Sequence, residues 1–196
     1  MSEQKISRRQ QILETLAMEL EKSPGEPITT AGLAKAVGVS EAALYRHFPS
    51  KAKMLEALIE FIEESVFTLV NRILQEEKSM RGRCQKILTV ALGFADKNPG
   101  ITRLLSGDVL LGETERLRKR IDKFYERLET QLKQVLREGE ANRELKAVSP
   151  VQAQANLMLC LVEGRIQQYV RSGFSVSPLA QWDQQWDLLA ASLISP

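Results

Sequence analysis

The chain is poor in the residues that most often carry chemistry. Two cysteines and one histidine occur in 196 residues. Cys84 and Cys160 form no CxxC pair, and His47 stands alone, so a zinc site is not expected. Both cysteines fall inside apparent helices and read as reduced core thiols rather than a disulfide. No nucleophile motif and no glycine-rich phosphate loop occurs, so neither an enzyme nor a cofactor is expected. No run of about 18 uncharged apolar residues exists to span a membrane. The opening MSEQKISRRQQ lacks an apolar h-region, which predicts no secretory signal and a cytoplasmic location. Neither sign of charge dominates: 27 Lys and Arg face 25 Asp and Glu, a net of +2. That balance excludes a charged disordered tail and a strongly basic nucleic-acid packager.

Strand signals are also missing, for no alternating β-branched run is bounded by turn residues. What remains is helical periodicity cut by glycine and proline. The spacing predicts a helix over 7–22, with Ile12, Leu13, Leu16 and Leu20 as its apolar stripe. Short helices follow at 31–37, capped by Thr30 and ended by Gly38, and at 41–47, capped by Ser40. Ser50 caps a long helix over 51–77. Further helices are expected at 80–97, 101–111, 113–138, 150–172 and 179–194, with 139–149 as a polar loop. The predicted fold is all-α: an N-terminal three-helix unit over 1–52 and a larger helical unit over 53–196.

The most informative stretch is ITTAGLAKAVGVSEAALYRHFPSK, residues 28–51. Two short helices flank the turn Gly38-Val39-Ser40, while Leu33, Ala34, Val37, Val39, Leu44 and Phe48 supply one apolar side. This is the helix-turn-helix pattern, in which the second helix enters the DNA major groove. With Leu44 inward, about 100° per residue turns Ala42 and Arg46 outward, with Ala43 and Tyr45 on the flanks. Small alanines let a helix approach base edges, and an alanine methyl can meet a thymine methyl. Arg46 suits a bidentate guanine contact or a phosphate. Thr29 and Thr30 stand at a helix N-terminus, which favours an anion, and Ser40 opens the second helix. Tyr45, His47 and Lys51 are candidates for gripping the DNA backbone. The competing readings are that Tyr45 and His47 pack the three-helix core, and that Lys51 is merely solvated. Through Lys53 there are eight basic and six acidic residues, a net of +2, so affinity requires two such units. Arg8, Arg9, Arg46, Lys51 and Lys53 are placed on one shared face.

TTAGLAKAVGVSEAALYRHFPSK resembles the DNA-binding domain of TetR-family regulators, with the YRHFPSK end and its spacing included. Further blocks, SEAALYRHFPSKAKMLEALIEFIEES, FADKNPGITRLLSGD, ERLETQLKQVLRE and VRSGF, resemble the nucleoid occlusion branch of that family. The resemblance implies a homodimer, nucleoid-associated, that binds near-palindromic sites in double-stranded DNA. It implies that the dimer antagonises FtsZ, the tubulin-like division protein, so that septa do not form over the chromosome. It places the FtsZ surface on the long fourth helix and the one after it.

In that long helix Phe61 and Phe67 lie about 120° to either side of the Leu55, Ile62, Val66, Ile73 stripe. One is expected to be buried and one exposed for a partner. Phe61 is assigned to the partner site with Lys97 and Asn98, although helix termination before Pro99 also explains Asn98. Where the branch carries an arginine in this helix, the chain has Leu69, with Arg72 one turn on. The basic run from Arg116 to Arg127 reads as a solvated helix face with i,i+4 pairs. Trp182 and Trp186, one turn apart, read as core or dimer interface. The rival function is a ligand-responsive TetR-family repressor. Against it, residues 75–165 hold only Phe94, Phe124 and Tyr125 to ring an effector cavity.

Overall fold

Caps and breaks set nearly every boundary in the molecule. The computed structural model describes residues 7–22, 27–110, 115–144 and 150–193, and every regular element among them is helical. α1 (Arg8–Lys22) buries Ile12, Leu16 and Leu20, with Leu13 half-buried beside them. α2 (Thr30–Val37) starts where Thr29 Oγ1 accepts from the Gly32 N–H at 3.1 Å. The cap is therefore Thr29, one residue before the expected Thr30. Two adjacent threonines look alike in sequence, and the extended backbone of Thr29 (φ −95°, ψ 150°) decides between them. Gly38 ends α2 at φ 78°, and the N–H groups of Gly38 and Val39 close on Lys35 and Ala34.

α3 (Glu41–His47) and α4 (Lys51–Glu76) begin as expected, with Ser40 accepting from Ala43 N–H and Ser50 from Lys53 N–H, each at 3.2 Å. α5 spans Met80–Lys97. α6 (Pro99–Ser106) is shorter than the expected 101–111, because Gly107 turns the chain at φ 79° into a 3₁₀ turn over Asp108–Leu110. α7 (Glu115–Ala141) runs past the expected end at 138. Gly139 lies against α5 in this last turn: a Cβ there would come 2.6 Å from Met80 Cγ, so a larger residue would force the Met80 side chain to shift. Of the expected 139–149 loop, residues 145–149 lie outside the described residues. α8 (Val151–Arg171) and α9 (Trp182–Leu193) complete the chain, the latter starting three residues later than expected.

Apolar side chains of α5, α7 and α8 meet in the interior. Ile87, Leu92, Leu132, Leu136, Met158 and Val162 are all fully buried. Of the three aromatics in residues 75–165, Phe94 packs on Phe61 and Phe124 lies 5.5 Å from Phe67 and 5.3 Å from Tyr125, while Tyr125 also lines an open pocket of about 560 Å³ with Leu105, Leu110 and Gln167. Phe67 is thus the buried member of the α4 pair, under the Arg127 guanidinium at 3.7 Å. Trp182 and Trp186 are core, not interface: both are buried, and Trp182 Nε1 donates to Thr89 Oγ1 at 2.7 Å. Cys84 is buried, but Cys160 is exposed, which corrects the expectation of two core thiols. Its neighbours Leu159 and Val162 carry the buried side of α8, while Leu157 and Cys160 face outward.

α1 is seated directly on α6. Gly100 sits where a Cβ would come within 2.0 Å of the Ala17 carbonyl oxygen. Arg103, 1% exposed, donates to the Leu20 carbonyl at 3.0 Å and to Asp108 at 2.8 Å. The N-terminal unit is thereby fixed to the body through α6 as well as through α4.

Candidate nucleic-acid interface

Leu44 is the buried anchor of α3, and Phe48, which ends the helix, is buried behind it. That phase presents Ala42, Tyr45, Arg46 and His47 to solvent, with Ala43 half-buried on the flank. Tyr45 is 41% exposed, so neither it nor His47 packs the three-helix core. The outward row is the one the helical period predicts for base and backbone contacts.

The flanking candidates have more varied settings. Thr29 is exposed and spends its hydroxyl on the α2 cap. Thr30 donates its hydroxyl to the Glu41 carboxylate at 3.1 Å, joining the first turn of α2 to the first residue of α3. Ser40 caps α3, and Lys51, half-buried, is the first residue of α4. Lys53, placed on the same basic face by sequence, is instead paired with Glu56 at 2.6 Å.

The basic run of α7 is not simply a solvated face. Lys119 does pair with Glu115 at i,i+4, but Arg116 and Arg120 reach across to Glu56, Glu60 and Glu63 on α4. The Lys53 hydrogen bond, with Arg116 and Arg120 nearby, holds the Glu56 carboxyl below its ordinary range. The sequence gives α7 its charges, but only the tertiary approach of α4 supplies their partners.

Away from α3, Phe61 is 46% exposed on α4 and packs against Phe94 of α5, ring centroids 5.9 Å apart. Asn98 Nδ2 donates to the Phe94 carbonyl at 2.8 Å, which satisfies the end of α5. Phe61 and Asn98 share a groove of about 370 Å³ with Leu13, Ala17, Met18 and Ile101. Lys97 is exposed on the last turn of α5, outside that groove. Sequence reasoning missed the α1 wall. Its signal was a second apolar strip, Leu13, Ala17 and Met18, beside the buried one. Leu69 is 46% exposed, and Arg72 pairs with Glu76 at 2.8 Å.

The outer faces of α8 and α9 are mostly polar, with one large apolar side chain exposed on each. Leu157 is 49% and Leu188 is 74% exposed, and Cys160 and Ala191 lie open near them in sequence.

Comparison with known proteins is consistent across the chain. Residues 12–58 match the family of bacterial regulatory proteins, tetR family. Residues 78–194 match the SlmA-like family described as Tetracyclin repressor-like, C-terminal domain. The nucleoid occlusion factor SlmA of Marinomonas sp. (strain MWYL1) is 57% identical over 194 residues, covering 99% of this chain and 98% of that protein. The nucleoid occlusion factor SlmA of Alteromonas mediterranea is 61% identical over 183 residues, 93% of each chain. Among solved structures, the MbdR regulator of Azoarcus sp. CIB superposes with a TM-score of 0.81 at 16% identity, covering 96% of this chain and all of that one. The ketosteroid transcriptional regulator KstR2 of Mycobacterium tuberculosis gives 0.78 at 17% identity, over 97% and 96%. At those identities the structures speak for the fold alone. No helix among the described residues is long and apolar enough to cross a membrane.

Proposed function

The chain belongs to the SlmA nucleoid occlusion branch of the TetR family, and from that premise we propose that its homodimer binds near-palindromic chromosomal sites and there antagonises FtsZ assembly. It works on the nucleoid, in the cytoplasm. The observation that carries the DNA half is the outward row of α3, where Ala42, Tyr45, Arg46 and His47 stand clear of the core behind Leu44.

In this reading residues 1–52 form the DNA-reading unit, and residues 53–196 form the dimerisation and partner-binding unit. Ala42, Ala43 and Arg46 meet base edges. Thr29, Thr30, Ser40, Tyr45, His47 and Lys51 line the phosphate backbone. With its hydroxyl taken by Glu41, Thr30 acts through its backbone N–H at the start of α2. Leu157 and Leu188 are the apolar surface that a second copy covers. Two-fold symmetry then sets two α3 helices roughly 34–36 Å apart, one turn of DNA.

For FtsZ the reading rests on Phe61, an exposed ring already backed by Phe94, with Asn98 and Glu14 in the same groove and Lys97 exposed outside it, next to Asn98 in the chain. An aromatic anchor with a polar rim suits a short flexible peptide with acidic groups, and such a peptide binds weakly because ordering it costs entropy. The test is a paired assay on the full chain. DNA binding is followed by anisotropy, and FtsZ polymer by sedimentation with the bound duplex present. Phe61→Ala and Lys97→Glu are expected to abolish antagonism and keep DNA affinity. If both variants still suppress polymer, the FtsZ surface lies elsewhere. If wild type binds DNA and never affects polymer, the repressor reading replaces this one.

A further inference from the structure

α3 has two apolar anchors, Leu44 within it and the buried Phe48 ring at its end. It is seven residues long, and Leu44 is its one buried side chain. A helix of that length has no stability of its own, so its axis follows whatever grips its ends. At the N-terminal end the grip is Glu41, which accepts from Thr30 of α2 at 3.1 Å. At the C-terminal end it is Arg9, thirty-eight residues earlier on α1. Arg9 Nη1 donates to the carbonyl of His47, the last residue of α3, at 3.2 Å. The same guanidinium lies 4.1 Å from the centroid of the Phe48 ring, itself 1% exposed.

The chemistry of that end explains why an arginine suits it. The last carbonyls of a helix have no internal partner, and the helix dipole favours a cation there. A planar guanidinium can stack flat on an aromatic face while donating in its own plane to an oxygen, whereas an ammonium has no plane to stack and its position over the ring is less defined. Arg9 is exposed, so its position is set by these two contacts rather than by burial.

We infer that Arg9 is a positioning residue for DNA recognition: it fixes the last turn of α3, bearing Tyr45, Arg46 and His47, against α1. It acts through that helix and not through its own charge on a phosphate. The inference rests on α3 being the DNA-reading helix.

Salt dependence separates the two roles. A phosphate contact adds about one unit to the slope of log K against log salt, whereas a positioning contact adds none. The experiment compares wild type, Arg9→Ala, Arg9→Lys and Tyr45→Ala on two probes. One is a duplex selected from a random pool by the wild-type protein, and the other is a random-sequence duplex. Arg9→Ala is expected to lose roughly 5- to 20-fold in affinity for the selected duplex. Its affinity for random duplex and its salt slope should match wild type. Arg9→Lys keeps the charge and loses the stacked plane, so it should not restore selectivity. Should Arg9→Ala fail to fold, by thermal melting, Arg9→Lys decides alone. A slope reduced by about one unit in Arg9→Ala, or full rescue by lysine, overturns the inference. Tyr45→Ala with wild-type binding to both probes overturns the reading of α3 itself, and the inference with it.

Discussion

Arg120 meets Glu63 through two nitrogens, Nε at 3.1 Å and Nη2 at 2.7 Å, and so ties α7 to the middle of α4. Both side chains are about one-quarter exposed, and the geometry is bidentate, which sets this pair apart from an ordinary surface ion pair. Arg120→Ala is expected to cost about 1–2 kcal/mol, read as a lower denaturant midpoint at unchanged slope. Arg116, on the same helix, has a side chain 71% exposed. Its alanine variant should cost less than about 0.5 kcal/mol. Equal losses from the two variants would refute the distinction.

The parts of the molecule that obey a local rule were legible in the sequence. Ser40 and Ser50 announce their helices, and the helical period from Leu44 places Ala42 and Arg46 outward without any tertiary information. The parts that depend on distant chain were not legible. Phe61 and Phe67 are equivalent about the α4 stripe; only the arrival of Phe124 and Arg127 on α7 buries one of them. Cys160 stands in the apolar run NLMLCLV, where the buried side of the helix cannot be told from the side left open. The grip of Arg9 on His47 spans thirty-eight residues and uses a backbone carbonyl, which carries no sequence signal.

Two glycines in adjacent helices should respond with opposite signs. Gly93 lies inside α5 with nothing within 4 Å of an added Cβ. Gly93→Ala removes backbone entropy from the unfolded chain and should stabilise by up to about 1 kcal/mol. At Gly100 the added Cβ would lie 2.0 Å from the Ala17 oxygen and 2.8 Å from the Glu21 nitrogen. Those are backbone atoms of α1 and cannot swing aside. Gly100→Ala should therefore lever α1 off α6 and cost at least about 2 kcal/mol. Thermal melting of the two variants checks both signs.

The thiols report on assembly. Burial pushes the Cys84 thiol up to about 12, so it is protonated and shielded at neutral pH. Cys160 is exposed in the single chain, on the side of α8 that carries Leu157. A thiol reagent should modify one cysteine in the native protein and two after denaturation. If a second copy covers this face, the native reaction slows as protein concentration rises. Leu188→Asp should remove that dependence. A rate independent of concentration in wild type would place the interface elsewhere.

The α3 row makes the most specific prediction, because its members should fail in different ways. Tyr45 and Lys51 are assigned to phosphate. Tyr45→Ala and Lys51→Ala should weaken binding to selected and random duplexes by the same factor, and Lys51→Ala should also reduce the salt slope by about one unit. Arg46 stands in the outward row beside Ala42, where a helix in the major groove meets base edges. Arg46→Ala should cost about 1–3 kcal/mol on the selected duplex, little on random duplex, and relax preference at one position of each half-site. Two-fold symmetry requires that position to relax twice, once in each half. Selection of binding sites from a random pool by the Arg46→Ala protein reads this directly. A uniform loss on both duplexes, with the selected consensus unchanged, would move Arg46 from the base edges to the backbone.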